Sequence, residues 1–205
     1  NTTCEIKANQ QGASTNSLRF PTLDVARCRC YHKIVESDGK NMSIWRFADL
    51  FSTTTAEHRV TLGEGNTPLV RSRSIGPAAG LQHLYFKLES SNPSGSYKDR
   101  FGAAAISDML ARGKTRCEAT SSGNTGAALA AYCAAAGIDC HIAIVETAPL
   151  GKLQQMMSYG ANIYRIRGFG TDPQISTDGI EYIRARAERP GAQLQISAFK
   201  YCPVG

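Results

Sequence analysis

The chain has 205 residues, of which 42% are hydrophobic and 20% are charged, and its formal net charge is +6. These fractions are those of an ordinary globular protein, and they exclude a disordered, collagenous or coiled-coil chain. The most apolar stretch, at 126–137, is too short to span a bilayer, which argues against a membrane protein. Lysines and arginines are scattered without a dense run, so the positive charge predicts solvated surface rather than a nucleic-acid site.

Seven cysteines, an odd number, prevent complete disulfide pairing within one chain. They stand at Cys4, Cys28, Cys30, Cys117, Cys133, Cys140 and Cys202. Several lie in apolar stretches, where cysteine behaves as a small buried hydrophobe, and the set favours a reducing, cytoplasmic compartment. Cys28, Cys30 and His32 lack the spacing of a zinc knuckle or ribbon, so no metal site is predicted.

The first 60 residues show little periodicity and predict an arm with a short helix near 44–51, which Trp45 is expected to anchor. Two glycines, an asparagine and a proline in 61–69 mark the turn into a second region, 61–205. Its predicted strands are 83–89, 116–120, 138–145, 161–167 and 193–199. Its predicted helices are 101–112, 124–136 with Gly137 as C-cap, 149–159 and 179–188.

Strands and helices alternate through short connections, which predicts the α/β fold class with a mostly parallel sheet flanked by helices. Ligands bind such sheets at the loops that open the following helices. The loop 90–100 places Lys98 before an apolar helix, where a partly desolvated lysine can form a Schiff base with an aldehyde. From this loop alone, a surface lysine is the simpler interpretation.

The second candidate loop, SSGNTG at 121–126, offers hydroxyls, an amide and the N–H groups of a helix N-terminus. Such a group suits a carboxylate or phosphate, although a helix cap without any ligand explains the same residues equally well. The loop is not a P-loop, and Gly168 and Gly170 lack the third glycine of a dinucleotide fingerprint.

Three segments, taken in order, resemble a known family: GEGNTPL at 63–69, KLESSNPSGSYKDR at 87–100 and SSGNTGAALAAY at 121–132. They are similar to fold-type II pyridoxal-phosphate enzymes of the tryptophan synthase β type, and most closely to the threonine synthases. Tyr97 stands where that group usually has Phe. Threonine dehydratases and cysteine synthases share related loops, so the motifs are more specific for the cofactor than for the reaction.

The resemblance implies a role for each loop residue. Lys98 would carry pyridoxal 5'-phosphate and act as the general base, and Asn124 would hydrogen-bond the 3-oxygen of the cofactor. Arg100 is expected to form a structural ion pair with Asp99 or another carboxylate, and a contact with an acidic substrate is the alternative. Four residues would hold the substrate carboxylate: Ser121, Ser122, Gly123 and Thr125.

The implied activity is that of a carbon–oxygen lyase of threonine biosynthesis, which converts O-phospho-L-homoserine and water to L-threonine and phosphate. Another fold-type II lyase, such as a threonine dehydratase-like enzyme, and a truncated non-catalytic relative are the alternatives. The implied partner is a small-molecule substrate, without nucleic acid or membrane, and a homodimer is one option for the full-length protein.

In this family a Gly-rich loop much further along a longer chain holds the cofactor phosphate, and the segment 168–171 comes too early to be that loop. The chain also begins with Asn1 rather than Met. We therefore expect an amino-terminal fragment with weak cofactor binding and little turnover on its own.

Overall fold

The structure is a computed structural model that describes residues 43–195, so predictions on Cys28, Cys30 and 196–199 fall outside the described residues. Within 43–195 the strands are β1 (Leu69–Arg71), β2 (Tyr85–Lys87), β3 (Arg116–Thr120), β4 (Asp139–Val145), β5 (Asn162–Ile166) and β6 (Ala192–Gln195). The helices are α1 (Ala48–Phe51), α2 (Ile75–Ala78), α3 (Lys98–Ala111), α4 (Asn124–Ala136), α5 (Leu150–Ser158) and α6 (Pro173–Ala187). Short 3-10 turns cover Ile44–Phe47, Ala56–His58 and Glu89–Ser91.

The main sheet has the order β5-β4-β3-β6, and each of its neighbouring pairs is parallel. Helices α4, α5 and α6 connect its successive strands, which confirms the predicted α/β class with a mostly parallel sheet. The strand predicted at 83–89 is only partly formed, since β2 covers three residues. β2 pairs antiparallel with β1 in a separate two-stranded sheet.

Helices α4 and α6 cover opposite faces of the main sheet. Successive residues of a strand point to opposite faces, and Cys117 and Glu118 follow one another in β3. The Cys117 thiol lies beside Cys133 of α4, whereas Glu118 accepts a 3.0 Å hydrogen bond from Arg186 of α6. The sheet is therefore enclosed from both sides, as its apolar strands require.

The core is centred on α4, an alanine-rich helix that is buried over Gly126–Cys133, which is the pattern of a helix enclosed on all sides. Small residues let α3 approach it closely, because a Cβ on Gly102 would stand 2.8 Å from the Tyr132 ring. The helix ends at Gly137, whose φ of 68° lies in the left-handed region, so the predicted C-cap is confirmed.

Trp45 is only 4% exposed and packs in the same core, and its indole Nε1 donates a 2.9 Å hydrogen bond to the carbonyl of Val60. The short helix predicted near 44–51 is present as a 3-10 turn followed by α1. The boundary predicted between residues 60 and 61 remains a prediction. None of the helices in the described part of the chain is long and apolar enough to cross a membrane.

Two predicted helix starts were wrong. The helix expected from residue 101 begins at Lys98, so Lys98 is its first residue rather than a loop residue. The helix expected from residue 179 begins at Pro173, because the Asp172 side chain caps it by accepting from the N–H groups of Gln174 and Ile175. Proline is also favoured at the first helical position, because its fixed φ is close to that of a helix.

Candidate active site

A tight turn and a buried carboxylate position Lys98 at the N-terminus of α3. Gly95 has a φ of 87°, a left-handed conformation that allows the chain to reverse before the helix. The fully buried Asp99 accepts a 2.9 Å hydrogen bond from the N–H of Ser94 through its Oδ2. Residues 94–99 therefore form a closed loop, and the direction in which Lys98 leaves it is defined by the main chain.

The buried amide of Asn92 connects this loop to the turn at 63–69. Its Oδ1 accepts a 2.9 Å hydrogen bond from the N–H of Gly65, 27 residues earlier. Its Nδ2 donates to the carbonyl of Glu89 at 2.8 Å and to Glu89 Oε2 at 3.0 Å. Two of the three motif segments are therefore held together by one side chain, whose hydrogen bonds satisfy main-chain groups of both.

Glu89 and Arg100 form an ion pair across the same loop. The Arg100 guanidinium makes two contacts with the carboxylate, one of them from Nη2 to Oε1 at 3.1 Å, and Thr67 donates to it at 2.9 Å. Hydrogen bonding by Arg100 lowers the pKa of Glu89 from 4.5 to about 2. The structural role predicted for Arg100 is confirmed, with Glu89 as its partner.

The Lys98 side chain, by contrast, differs from its neighbours in its surroundings. It is half-buried, and its Nζ lies 4.7 Å from the centre of the Tyr97 ring. Within residues 43–195, its amino group has no hydrogen bond or ion pair, whereas the next two residues, Asp99 and Arg100, each have a polar partner. An amine positioned in this way is available for covalent chemistry.

The second loop is held by hydrogen bonds to its two serine hydroxyls. Ser121 Oγ accepts from the N–H of Gly126 at 2.9 Å and from that of Gly123 at 3.3 Å. Ser122 Oγ accepts from the N–H of Val145 at 3.0 Å, which ties the loop to the end of β4. Both hydroxyls keep their hydrogen available for donation to a ligand.

Asn124 opens α4 with its side chain exposed to solvent, while Gly123 and Thr125 are half-buried. In the described part of the chain, the Asn124 amide has no hydrogen-bond partner. A Cβ placed on Gly123 would meet nothing within 4 Å, so open space lies in front of this helix N-terminus. Unpaired N–H groups and the helix dipole make such a position favourable for an anion.

Helix α5 contacts both loops through two successive residues. Gln155 Nε2 donates a 2.9 Å hydrogen bond to the carbonyl of Ser94, beside the Lys98 turn. Met156 packs against the other loop so closely that a Cβ on Gly126 would lie 2.8 Å from its Sδ. The Lys98 loop and the Ser121 loop are therefore neighbours, as their positions before successive helices predict.

Glu64 of the first motif lies in the core rather than at the site surface. The carboxylate is fully buried and accepts hydrogen bonds from the Tyr132 hydroxyl at 2.7 Å, from Thr61 at 3.0 Å and from the N–H of Leu62 at 3.1 Å. Burial raises its pKa above the usual 4.5. Its hydrogen bond with Tyr132 therefore connects the first motif to helix α4.

Sequence patterns missed Gln155 and the pairing of Glu64 with Tyr132. Gln155 lies on an amphipathic helix, where a half-buried glutamine gives no signal beyond its polarity. Glu64 and Tyr132 are 68 residues apart, so only the fold brings them into contact.

Comparisons with known proteins agree with this geometry. The family model described as pyridoxal-phosphate dependent enzyme matches residues 60–199. The chain is 35% identical over 130 residues to the threonine synthase of Methanocaldococcus jannaschii, covering 63% of this chain and 32% of that protein. It is 39% identical over 133 residues to the threonine synthase of Halalkalibacterium halodurans, covering 62% of this chain and 37% of that protein. The chain thus spans about a third of the length of these relatives.

Two solved structures are similar in fold. A hydrogen sulfide-producing enzyme from Fusobacterium nucleatum has a TM-score of 0.55 and 28% identity, over 67% of this chain and 44% of its own. O-ureido-L-serine synthase has a TM-score of 0.54 and 27% identity, over 63% of this chain and 40% of its own. With the family match extending over more than half of the sequence, the chain belongs to the pyridoxal-phosphate dependent enzymes of fold type II.

Proposed function

We propose that this chain provides the lysine-bearing part of a threonine synthase, which converts O-phospho-L-homoserine and water to L-threonine and phosphate. The observation that carries the proposal is the pair of neighbouring helix N-termini, which present the Lys98 amine and the Asn124 amide, both without a polar partner among residues 43–195. The relatives of 35–39% identity that are named threonine synthase give the reaction.

The residues present fit the cofactor of the family. Lys98 would bind it covalently through Nζ, and the Asn124 amide, which no protein group within 43–195 engages, would donate to its 3-oxygen. When bound, pyridoxal phosphate supplies an electron sink for negative charge that develops on the substrate carbons. No described atom lies within 4 Å of a Cβ placed on Gly123, so a ligand can approach the helix N-terminus from that side.

Four residues of the second loop would orient the substrate by its carboxylate. The hydroxyls of Ser121 and Ser122 keep their hydrogens for donation, since each accepts a main-chain N–H. The N–H groups around Gly123 and Thr125 lie at the positive end of the α4 dipole, where a carboxylate is favoured. Fixing the carboxylate there would direct the substrate carbons towards Lys98.

Lys98 Nζ would move the protons of the reaction. Threonine formation requires loss of a proton from the α carbon and another from the β carbon, departure of phosphate from the γ carbon, and addition of water at the β carbon. A half-buried amine without an ion-pair partner among residues 43–195 can accept and return protons at these carbons.

Reductive labelling tests the cofactor assignment. The chain is mixed with pyridoxal phosphate, reduced with borohydride and mapped by mass spectrometry, and we expect a single pyridoxyl adduct on Lys98. Lys98→Ala should abolish the adduct, whereas Lys114→Ala, which changes a half-buried lysine outside both loops, should keep it. Absence of labelling at Lys98 in the longer protein as well would overturn the assignment.

Product analysis of the longer protein tests the reaction. We expect phosphate and L-threonine in equal amounts from O-phospho-L-homoserine. A threonine dehydratase-like lyase, the alternative within the same family, would instead release ammonia and 2-oxobutanoate from threonine. The second outcome would keep the cofactor assignment and reject the proposed substrate.

A further inference from the structure

Three cysteines from three different elements meet beneath the main sheet. Cys117 lies in β3, Cys140 is its partner in the register of β4, and Cys133 comes from α4, which covers this face. Their three Sγ atoms all lie within 4.8 Å of one another. We call this group the thiol triad. None of its members belongs to either loop of the candidate active site.

The thiol triad is enclosed in apolar core. Cys117 and Cys133 are 0% exposed, Cys140 is 5% exposed, and all three are reduced thiols. Among residues 43–195, no histidine or carboxylate contributes a fourth ligand atom to the group. Structural zinc sites are four-coordinate, so this set does not match zinc. It matches a soft ion that is satisfied by three sulfur ligands.

The net charge of the ion together with its three thiolate ligands determines which soft ion the apolar core can hold. Three thiolates carry three negative charges, and burying uncompensated charge in an apolar environment is very costly. A monovalent or divalent soft ion would leave the complex negative, whereas a trivalent ion makes it neutral. We propose that Cys117, Cys133 and Cys140 form a three-thiolate site for a trivalent thiophilic centre, with arsenous acid as the matching ligand.

The binding step balances without any oxidant or reductant. Arsenous acid, As(OH)₃, reacts with three thiols to form three As–S bonds, and each thiol proton leaves with one hydroxide as water. The trigonal pyramidal product needs no fourth ligand. Because the site is buried, we expect binding to be slow and limited by opening of the core.

The test uses the whole chain with its four other cysteines replaced: Cys4→Ser, Cys28→Ser, Cys30→Ser and Cys202→Ser. This variant is incubated with arsenite and measured by native mass spectrometry. We expect one arsenic per chain with the loss of three hydrogens, and retention of the adduct against a small dithiol competitor. Zinc offered under the same conditions should be removed by a chelator.

Cys133→Ala in the same background should abolish the three-hydrogen adduct, and any remaining arsenic should be displaced by the dithiol. Circular dichroism establishes that this variant is folded, and Cys117→Ala serves as the second variant if it is not. An adduct that has lost only two hydrogens, an unchanged adduct in a folded variant that lacks one triad cysteine, or no adduct in the background variant would overturn the proposal.

Discussion

The two loops of the candidate site occupy equivalent places, each before a long helix, but they are stabilised in different ways. The Lys98 loop is fixed mainly by polar side chains that bond one another or a turn further back, with Glu89 bound to Arg100 and Asn92 bound to Gly65. The Ser121 loop is fixed by serine hydroxyls that accept main-chain N–H groups and by the absence of a side chain at Gly126. The polar network pairs Glu89 with Arg100 and leaves the Lys98 amine without a polar partner among residues 43–195. Close packing, in contrast, leaves main-chain N–H groups at the N-terminus of α4 exposed.

The largest effect is expected from adding a side chain at Gly126, where the Ser121 loop is closely packed. A Cβ on Gly126 would lie 2.5 Å from the carbonyl oxygen of Ser121 and 2.8 Å from Met156 Sδ. Main chain cannot yield as a flexible side chain can, so Gly126→Ala should lower the free energy of unfolding by about 3 kcal/mol. Gly123→Ala is the matched control and should change it by less than about 0.5 kcal/mol, because nothing lies within 4 Å. Urea unfolding measures both, and equal losses would contradict the packing argument.

Two asparagines, one in each loop, allow the structural role of the first loop to be separated from the binding role proposed for the second. Asn92→Ala removes three hydrogen bonds and leaves the N–H of Gly65 unpaired, so it should cost about 2 kcal/mol of unfolding free energy. Asn124→Ala removes an exposed amide and should change stability by less than about 0.5 kcal/mol. Only Asn124→Ala should weaken pyridoxal phosphate binding in the folded protein, which titration by absorbance would reveal. A stability loss at Asn124 as large as that at Asn92 would refute the distinction.

A smaller effect is expected where α5 connects the two loops. Gln155→Ala removes the hydrogen bond to the carbonyl of Ser94 and should cost about 1 kcal/mol of unfolding free energy. Gln154→Ala, at the exposed neighbouring position, is the control and should have no measurable effect. Both variants are also tested for borohydride labelling, where we expect slower modification of Lys98 only in Gln155→Ala. Identical behaviour of the two variants would show that Gln155 does not position the Lys98 loop.

The smallest effect concerns pH and the Glu89–Arg100 pair. The folded pKa of Glu89, about 2, lies below its usual 4.5, so the pair contributes stability above pH 4.5 that is lost as the pH falls towards 2. Because the pair is partly exposed to solvent, we expect less than about 1 kcal/mol. Glu89→Gln should flatten the stability profile in this range, whereas Glu57→Gln, at an exposed site, should not. An unchanged profile in Glu89→Gln would show that the pair contributes nothing measurable.

Much of this architecture follows from local sequence pattern. Strand β3 occupies 116–120 as predicted, and α4 ends at Gly137 as predicted, because period and capping are properties of adjacent residues. The helix start at Lys98 was missed because no side chain caps it, and the start at Pro173 was missed because Gly168, Gly170 and the proline itself are typical of a loop. The predicted strand over 83–89 shortened to Tyr85–Lys87, since its length depends on the three-residue partner β1.

The sequence by itself determined the order of the elements, the two candidate loops and the family, because these depend on spacing and on residue type along the chain. It also presented Lys98 and Asn124 as candidate cofactor contacts, roles that remain proposals. Only the tertiary structure decided which polar groups meet: Glu64 with Tyr132, Glu89 with Arg100, and the three thiols beneath the sheet. These groups belong to different segments of the chain, and their contacts are set by which faces the packed helices and strands bring together.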